Sequence, residues 1–335
     1  MRKRQHIIYL DQFAVSNLIL GEGIWQDINF QLVNAVKNGK VLCPIPLEHF
    51  VETVGMKRSN AIQQDRFFKS ISRGKRFLAW DEIAANEIML YTKFKKNKPI
   101  LADYIKVIDG DYDLEDDATY HKHRLIREQY LSYKEIEKKS LSTFQQLSRE
   151  KNDSNEAKVS MSKEEKKEKR RQKKEYEANE EALKDALSAF VVKPYIEFFR
   201  EVCIGKKLSV DLMKLSRPEQ RIALLLCQQR FTGRNFFSAS NDFQKNLFNN
   251  IPSLYTYYSL KMYYTNNHMK EKANDAIDWE RISSGIFISN IMLVDKRQKY
   301  ALQSMGIDKK YGTILYSDVE DDLTAFKGIL EQLNR

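Results

Sequence analysis

A chain of 335 residues with 42% hydrophobic and 11% aromatic side chains can bury a large core, as one big domain or two ordinary ones, which excludes a wholly disordered protein. Charged residues make up 30% and the net charge is +10, with a sequence pI of about 9.2; that balance favours a polyanionic partner, nucleic acid first, unless one lysine-rich segment carries the excess. No apolar run reaches transmembrane length, and the basic start MRKRQHIIYLDQF holds too few apolar residues before its aspartate for a signal peptide, so no membrane association is expected and a cytoplasmic protein is.

In chain order, HIIYL reads as a short buried strand, because β-branched and aromatic residues cluster over a few positions. NLILGEG and WQDINFQLVNAVKNGK read as helical, the second ending at a C-cap formed by Asn38 and Gly39. KVLCPIP is a second strand closed by prolines. LEHFVETVGMKR follows as a helix, with Pro46 suited to its first turn. Two further helices, SNAIQQDRFFKSISRG and DEIAANEIMLYTKFKK, flank a possible short strand, KRFLAW. Such alternation of strand and helix is the pattern of an α/β fold with a parallel sheet.

From residue 115 the character changes to long, charged, helical sequence, which sets the expected organisation: a core from 1 to 114, a helical insertion from 115 to 234, and the rest of the core from 235 to 335. Within the insertion, SKEEKKEKRRQKKEYE opens on a capping box, Ser162 with Glu165. It reads either as a solvated helix or as a basic arm gripping phosphates through Lys166, Lys167, Arg170, Arg171, Lys173 and Lys174. The tyrosines of LYTYYSLKMYY (Tyr255, Tyr257, Tyr258, Tyr263, Tyr264) suit helix packing better than base stacking. Strands return at SNIMLVD and GTILYS, and a last helix is expected to be capped by Ser317 or Asp318. One sheet fed by both ends of the chain is the expected architecture.

Cys43, Cys203 and Cys227 are odd in number, far apart and set in apolar runs, which fits buried reduced thiols better than disulfides or zinc. The run DGDYDLEDDATYHKH starts like a calcium loop. It carries Leu114 where the glycine belongs and Tyr120 where the closing glutamate belongs, and His121 and His123 would diverge on a helix. No phosphate-binding loop or dinucleotide-binding glycine pattern occurs.

The acids are more informative. Asp11 directly follows HIIYL and Asp295 directly follows NIMLV; Glu48 and Glu52 lie one turn apart on a helix, and Asp275 and Asp278 share a face near a helix start. Singly, each suits a helix cap or a first helical turn. Together, at the carboxyl ends of parallel strands, they would repel one another unless a cation is present, and hard ions such as Mg2+ or Mn2+ prefer all-oxygen surroundings.

IIYLDQF, PIPLEHFVETVG and DAIDWERISSGIFISNIMLVDKRQ resemble the acidic motifs of PIN-like ribonucleases. The resemblance covers about half the chain and implies a PIN-like parallel sheet flanked by helices, with catalytic and metal-ligating acids at Asp11, Glu52 (or Glu48), Asp278 (or Asp275) and Asp295. Glu52 is preferred because HFVETVG resembles the family's glutamate-plus-glycine helix end, and Asp278 because its separation from Asp295 is closer to the family's helix-plus-strand span. It implies a metal-dependent endoribonuclease using Mg2+ or Mn2+ and leaving a 5′-phosphate and a 3′-hydroxyl. A toxin or antiphage defence role is suggested by the larger PIN-like proteins that start similarly. Gln12 and Ser16, beside Asp11, could bond metal-bound water or phosphate, or simply start the next helix. A structure-directed DNA nuclease and a non-catalytic nucleic-acid-binding scaffold remain the alternatives. The RNA, any protein partner or inhibitor, and the oligomeric state are left open.

If the lysine-rich segment grips RNA, replacing Lys166, Lys167, Arg170, Arg171, Lys173 and Lys174 by glutamine should weaken binding to all RNA sequences alike. The slope of log affinity against log salt should also flatten, by about 0.7 for each single-strand phosphate that is no longer neutralised. A salt titration of binding measures both, and an unchanged slope makes the segment a solvated helix.

Overall fold

The computed structural model describes residues 5–94, 101–108, 112–128, 222, 225, 250–266 and 275–335. The chain divides into two compact units, Met1–Tyr130 with Ile251–Arg335, and Leu131–Asn250. The lysine-rich segment, its capping box, Cys203 and Cys227 lie outside the described residues.

The first unit is an α/β domain around a four-stranded parallel sheet in the order β2-β1-β5-β6, with β1 His6–Leu10, β2 Val41–Leu42, β5 Ile291–Leu293 and β6 Ile314–Tyr316. The expected sharing of one sheet between the two ends of the chain is present: β1 pairs with β2 on one side and β5 on the other, Leu10 lying opposite Leu293. Strand β1 is apolar along nearly its whole length because helices cover both faces. Ile8 and Leu10 enter one core with Ile291 and Leu293. Residues from α1 (Gln12–Leu20), α2 (Ile24–Lys37), α4 (Arg58–Ser72) and the C-terminal helix Glu320–Asn334 complete that core. Tyr9, pointing the other way by the alternation of a strand, packs toward Phe77 at 6.2 Å between ring centroids.

On that second face lie α5 (Trp80–Phe94), α6 (Pro252–Asn266) and α7 (Asp275–Gly285). Gly285 ends α7 where the helix meets the strand: a Cβ there would stand 3.0 Å from the Tyr9 ring and 3.5 Å from Phe77, so a larger residue would need the Tyr9 ring to give way slightly. The tyrosines of α6 pack as expected: Tyr257, Tyr258 and Tyr264 are buried, and the rings of Tyr257 and Trp80 lie 4.5 Å apart. Helix α3 (Leu47–Thr53) follows β2 with Pro46 as its N-cap residue, just ahead of the first turn. KRFLAW does hold a strand, β3 Lys75–Phe77, but it pairs antiparallel with β4 Ile105–Val107 in a separate ladder. The partner β4 is too short and too unpatterned to read from sequence.

Helix α8 (Lys296–Ser304) and the short α9 (Ile307–Tyr311) carry the chain from β5 to β6. The last helix, α10 (Glu320–Asn334), is not capped by Ser317 or Asp318; Val319 is its N-cap residue. Ser317 instead donates its backbone N–H (2.9 Å) and hydroxyl (2.6 Å) to Asp322, which also pairs with Lys299. Ser317 thus donates to a carboxylate in the first turn, already held by a lysine, instead of accepting from the helix N–H groups as a serine cap would. Cys43 is a buried free thiol, and His121 is exposed while His123 is buried, on opposite sides of their helix. Among the described residues no helix is long and apolar enough to cross a membrane.

A buried carboxylate pins the second face. Glu87 on α5, 1% exposed, accepts hydrogen bonds from the Tyr104 hydroxyl (2.7 Å) and from the backbone N–H (2.9 Å) and hydroxyl (2.6 Å) of Ser253 at the start of α6. Burial pushes its carboxyl up from 4.5 to about 7, against the pull of those three donors. The native state therefore holds this proton more tightly than the unfolded chain does. The stability tied to Glu87 is complete below about pH 4.5 and is lost as pH rises through about 7. Glu87→Gln cannot ionise, so between about pH 5 and about pH 8 its stability should shift relative to the parent, in its own favour, by up to about 3 kcal/mol. Urea denaturation at the two pH values measures the shift; a pH-independent difference would show that Glu87 keeps one protonation state throughout.

Candidate acidic site at the strand ends

The parallel sheet sets the positions of the strand-end acids. β1 and β5 are neighbours and run the same way, so Asp11 and Asp295 emerge at the same edge. The Asp11 N–H donates to the Leu293 carbonyl at 3.0 Å, extending the ladder by one bond and fixing Asp11 against β5. Each aspartate also caps the helix it starts: Asp11 accepts from the Gln12 N–H and Asp295 from the Gln298 N–H, both at 2.8 Å. Helix α3, following the edge strand β2, brings Glu48 and Glu52, and α7, leading into β5, brings Asp275 and Asp278.

The structure brings Asp11, Glu52 and Asp278 together on one cation. Arg281, one helical turn beyond Asp278 and only 2% exposed, forms ion pairs with Asp11 and Glu52 and lies 3.7 Å from Asp278. Its Nε donates to the Tyr9 hydroxyl at 3.3 Å. Asp295 and Asp275 stand close enough to act on Asp278. Its carboxyl is raised well above the usual carboxylate range by burial first, then by the negative charges of Glu52, Asp295 and Asp275, with Arg297 opposing. Burial also raises Glu52, with Arg127 opposing. The Tyr9 hydroxyl is pushed up to about 12 by burial, with Arg281 pulling it back and Asp278 and Glu48 adding to the rise. Of the two alternates, Asp275 is turned to Arg297 at 3.4 Å, and Glu48 is buried within the electrostatic reach of Tyr9. Arg297 also lies over the buried Tyr264 ring at 4.3 Å.

The side chains of Gln12 and Ser16 are engaged with Gln64 of α4. Gln64 on α4 donates to Ser16 Oγ (2.7 Å) and accepts from Gln12 (3.4 Å) and from Thr53 (3.2 Å), whose hydroxyl also meets His49 Nε2 at 3.2 Å. Burial drives His49 down to about 3, so it stays neutral. This network ties α1, α3 and α4 together directly behind Asp11 and Glu52.

Sequence reasoning missed Arg281. The available signal was its spacing: Asp278, Arg281 and Gly285 fall at i, i+3 and i+7, one stripe of α7, and the glycine marks that stripe as the one meeting the strand. The donor set consists of carboxylate oxygens, whose chemistry fits Mg2+ or Mn2+. Among the described residues, however, no three His, Cys, Asp or Glu side chains are arranged to hold a metal ion, and Arg281 lies among Asp11, Glu52 and Asp278. The expected phosphate-gripping lysines and arginines, Lys166 to Lys174, lie outside the described residues.

The fold and its acids define an α/β domain with an acidic cluster at the carboxyl end of a parallel sheet. No family model, no curated protein and no solved structure matches the chain.

The double role of Asp11 gives a separable expectation. Asp11→Asn keeps an oxygen for the Gln12 N–H and leaves Arg281 its pairing with Glu52, whereas Asp11→Ala loses cap and charge together. The alanine variant should be less stable than the asparagine variant by about 1 kcal/mol. Paired denaturation curves measure the gap, and equal stabilities would remove the capping role.

Proposed function

We propose that the chain is a metal-dependent nuclease of the PIN-like kind, an endoribonuclease, with Asp11, Glu52, Asp278 and Asp295 as its working acids. The observation that carries this reading is the convergence of Asp11, Glu52 and Asp278 on Arg281, with the charge of Asp278 disfavoured by burial first and then by Glu52, Asp295 and Asp275. Helix capping is worth about 1 kcal/mol per aspartate. Capping accounts for Asp11 and Asp295 but not for Glu52 and Asp278, which two further helices bring to the same arginine.

Asp11, Glu52, Asp278 and Asp295 would hold Mg2+ or Mn2+, which supplies an activated water and offsets charge developing on the phosphate. The backbone and the Gln64 network hold Asp11 and Glu52 in place. Arg297, with its side chain 27% exposed beside the acids, is suited to meet a phosphate oxygen. The net charge of +10 would collect the polyanion, leaving the acidic crevice to select the scissile bond.

A second reading has its own observation: Arg281 already neutralises two of the acids, as in a purely structural ion-pair cluster of a non-catalytic nucleic-acid-binding protein. The two are separated by incubating the purified chain with RNA and sequence-matched DNA, in Mn2+, in Mg2+ and in chelator. The nuclease reading expects RNA cleavage that stops in chelator and falls about a hundredfold or more in each of Asp11→Asn, Glu52→Gln, Asp278→Asn and Asp295→Asn. Cleavage of DNA alone makes the chain a DNA nuclease. Binding that survives chelator without any cleavage favours the scaffold.

A further inference from the structure

Arg281 has a position that the nuclease reading does not require. Its side chain is 2% exposed, whereas the side chains it pairs with are more open: 12% for Asp11, 16% for Glu52 and 19% for Asp278. The arginine therefore lies behind the acids and the solvent in front of them. A buried guanidinium must be matched by charge and hydrogen bonds, and here Asp11, Glu52 and Tyr9 supply them. The acids in turn converge on this one guanidinium, Asp11 and Glu52 both paired to it and Asp278 3.7 Å away.

We infer that Arg281 is a built-in counter-ion of the acidic site, holding Asp11 and Glu52 until a divalent cation entering from the solvent side takes them over. The inference rests on the reading of these acids as a cation site. A divalent ion offers two charges and several coordination positions at once, where the guanidinium offers one charge and a planar fork. The Tyr9 hydroxyl, already bonded to Nε, stays available to the arginine when the carboxylates turn away. Arg281 thus competes with the metal rather than assisting its binding. It keeps the metal-free domain folded at the expense of affinity for the ion.

The test uses the full chain and reads cation binding and melting temperature, not turnover. Mn2+ affinity, from the electron paramagnetic resonance signal of free Mn2+, is compared in the parent, Arg281→Met and Arg281→Lys. Without divalent ions Arg281→Met should melt several degrees lower, because the acids are left without their counter-ion. It should bind Mn2+ about tenfold or more tightly, and saturating Mn2+ should recover most of the lost melting temperature by mass action. Arg281→Lys, a point charge that cannot bridge two carboxylates, should fall between the two and serves as the decisive variant if the methionine protein does not fold. The gain should vanish in Arg281→Met combined with Asp295→Asn. Unchanged or weaker Mn2+ binding in the Arg281 variants overturns the inference, as does a gain that survives the Asp295 change. Tighter Mn2+ binding by a chain that cleaves nothing leaves the counter-ion standing and sinks the nuclease. Cleavage by the parent with unaltered affinity in the variants does the reverse.

Discussion

The parallel pairing of β1 with β5 is the constraint on which the rest of the first unit depends. Strand β1 is buried on both faces, so its backbone donors and acceptors have no access to water and need a strand on each side. β2, reached through α1 and α2, supplies one side. The other must come from β5, more than 280 positions later in the chain. The same register that satisfies those bonds sets Leu10 against Leu293, and so sets Asp11, one residue beyond β1, and Asp295, two residues beyond β5, near one edge. An acidic pair at that edge is a by-product of backbone accounting before it is anything chemical.

Charge is the second constraint, and it works against the first. Once the sheet has brought Asp11 and Asp295 to one edge and α3 and α7 have added Glu52 and Asp278, the assembly carries mutual repulsion that burial makes worse. Arg281 relieves it from beneath and Arg297 from the side, each on an element already required by the fold. The arginine is the most buried member of the cluster, and the side chains of Asp11 and Glu52 stay partly open to solvent.

Polar groups buried away from the crevice keep it from relaxing. The Gln64 network holds α1, α3 and α4 at fixed distances behind Asp11 and Glu52, and Glu87 locks α5 to the start of α6. Each of these groups is expensive to bury and would be more expensive to leave unmatched, so the helices cannot shift without losing several bonds together. Gly285 serves the same end by geometry, letting α7 approach β1 closely enough for Arg281 to reach the acids of two other elements.

The sequence alone determined the strands HIIYL, KVLC, NIMLV and TILY, their membership of one parallel sheet, and the positions of Asp11 and Asp295 at strand ends. Those features are local: apolar clustering marks a buried strand, and the next residue in the chain is necessarily at its end. It also marked the tyrosine-rich helix α6 as packing material. What it could not supply was anything that depends on which surfaces meet. The short strand β4 carries no pattern of its own and exists through its pairing with β3. The N-cap position of α10 went to Val319, while Ser317 donates to Asp322, which is also held by Lys299 of α8. Glu52 and Glu48 share a helix face, as do Asp278 and Asp275, so choosing within each pair needs the place where α3 and α7 meet the sheet. Arg281 was one charged residue among 102 in the sequence, with a telling spacing but no local mark of burial. Only the tertiary structure could make it the cation of the site, because its partners come from β1 and α3, more than 220 residues away.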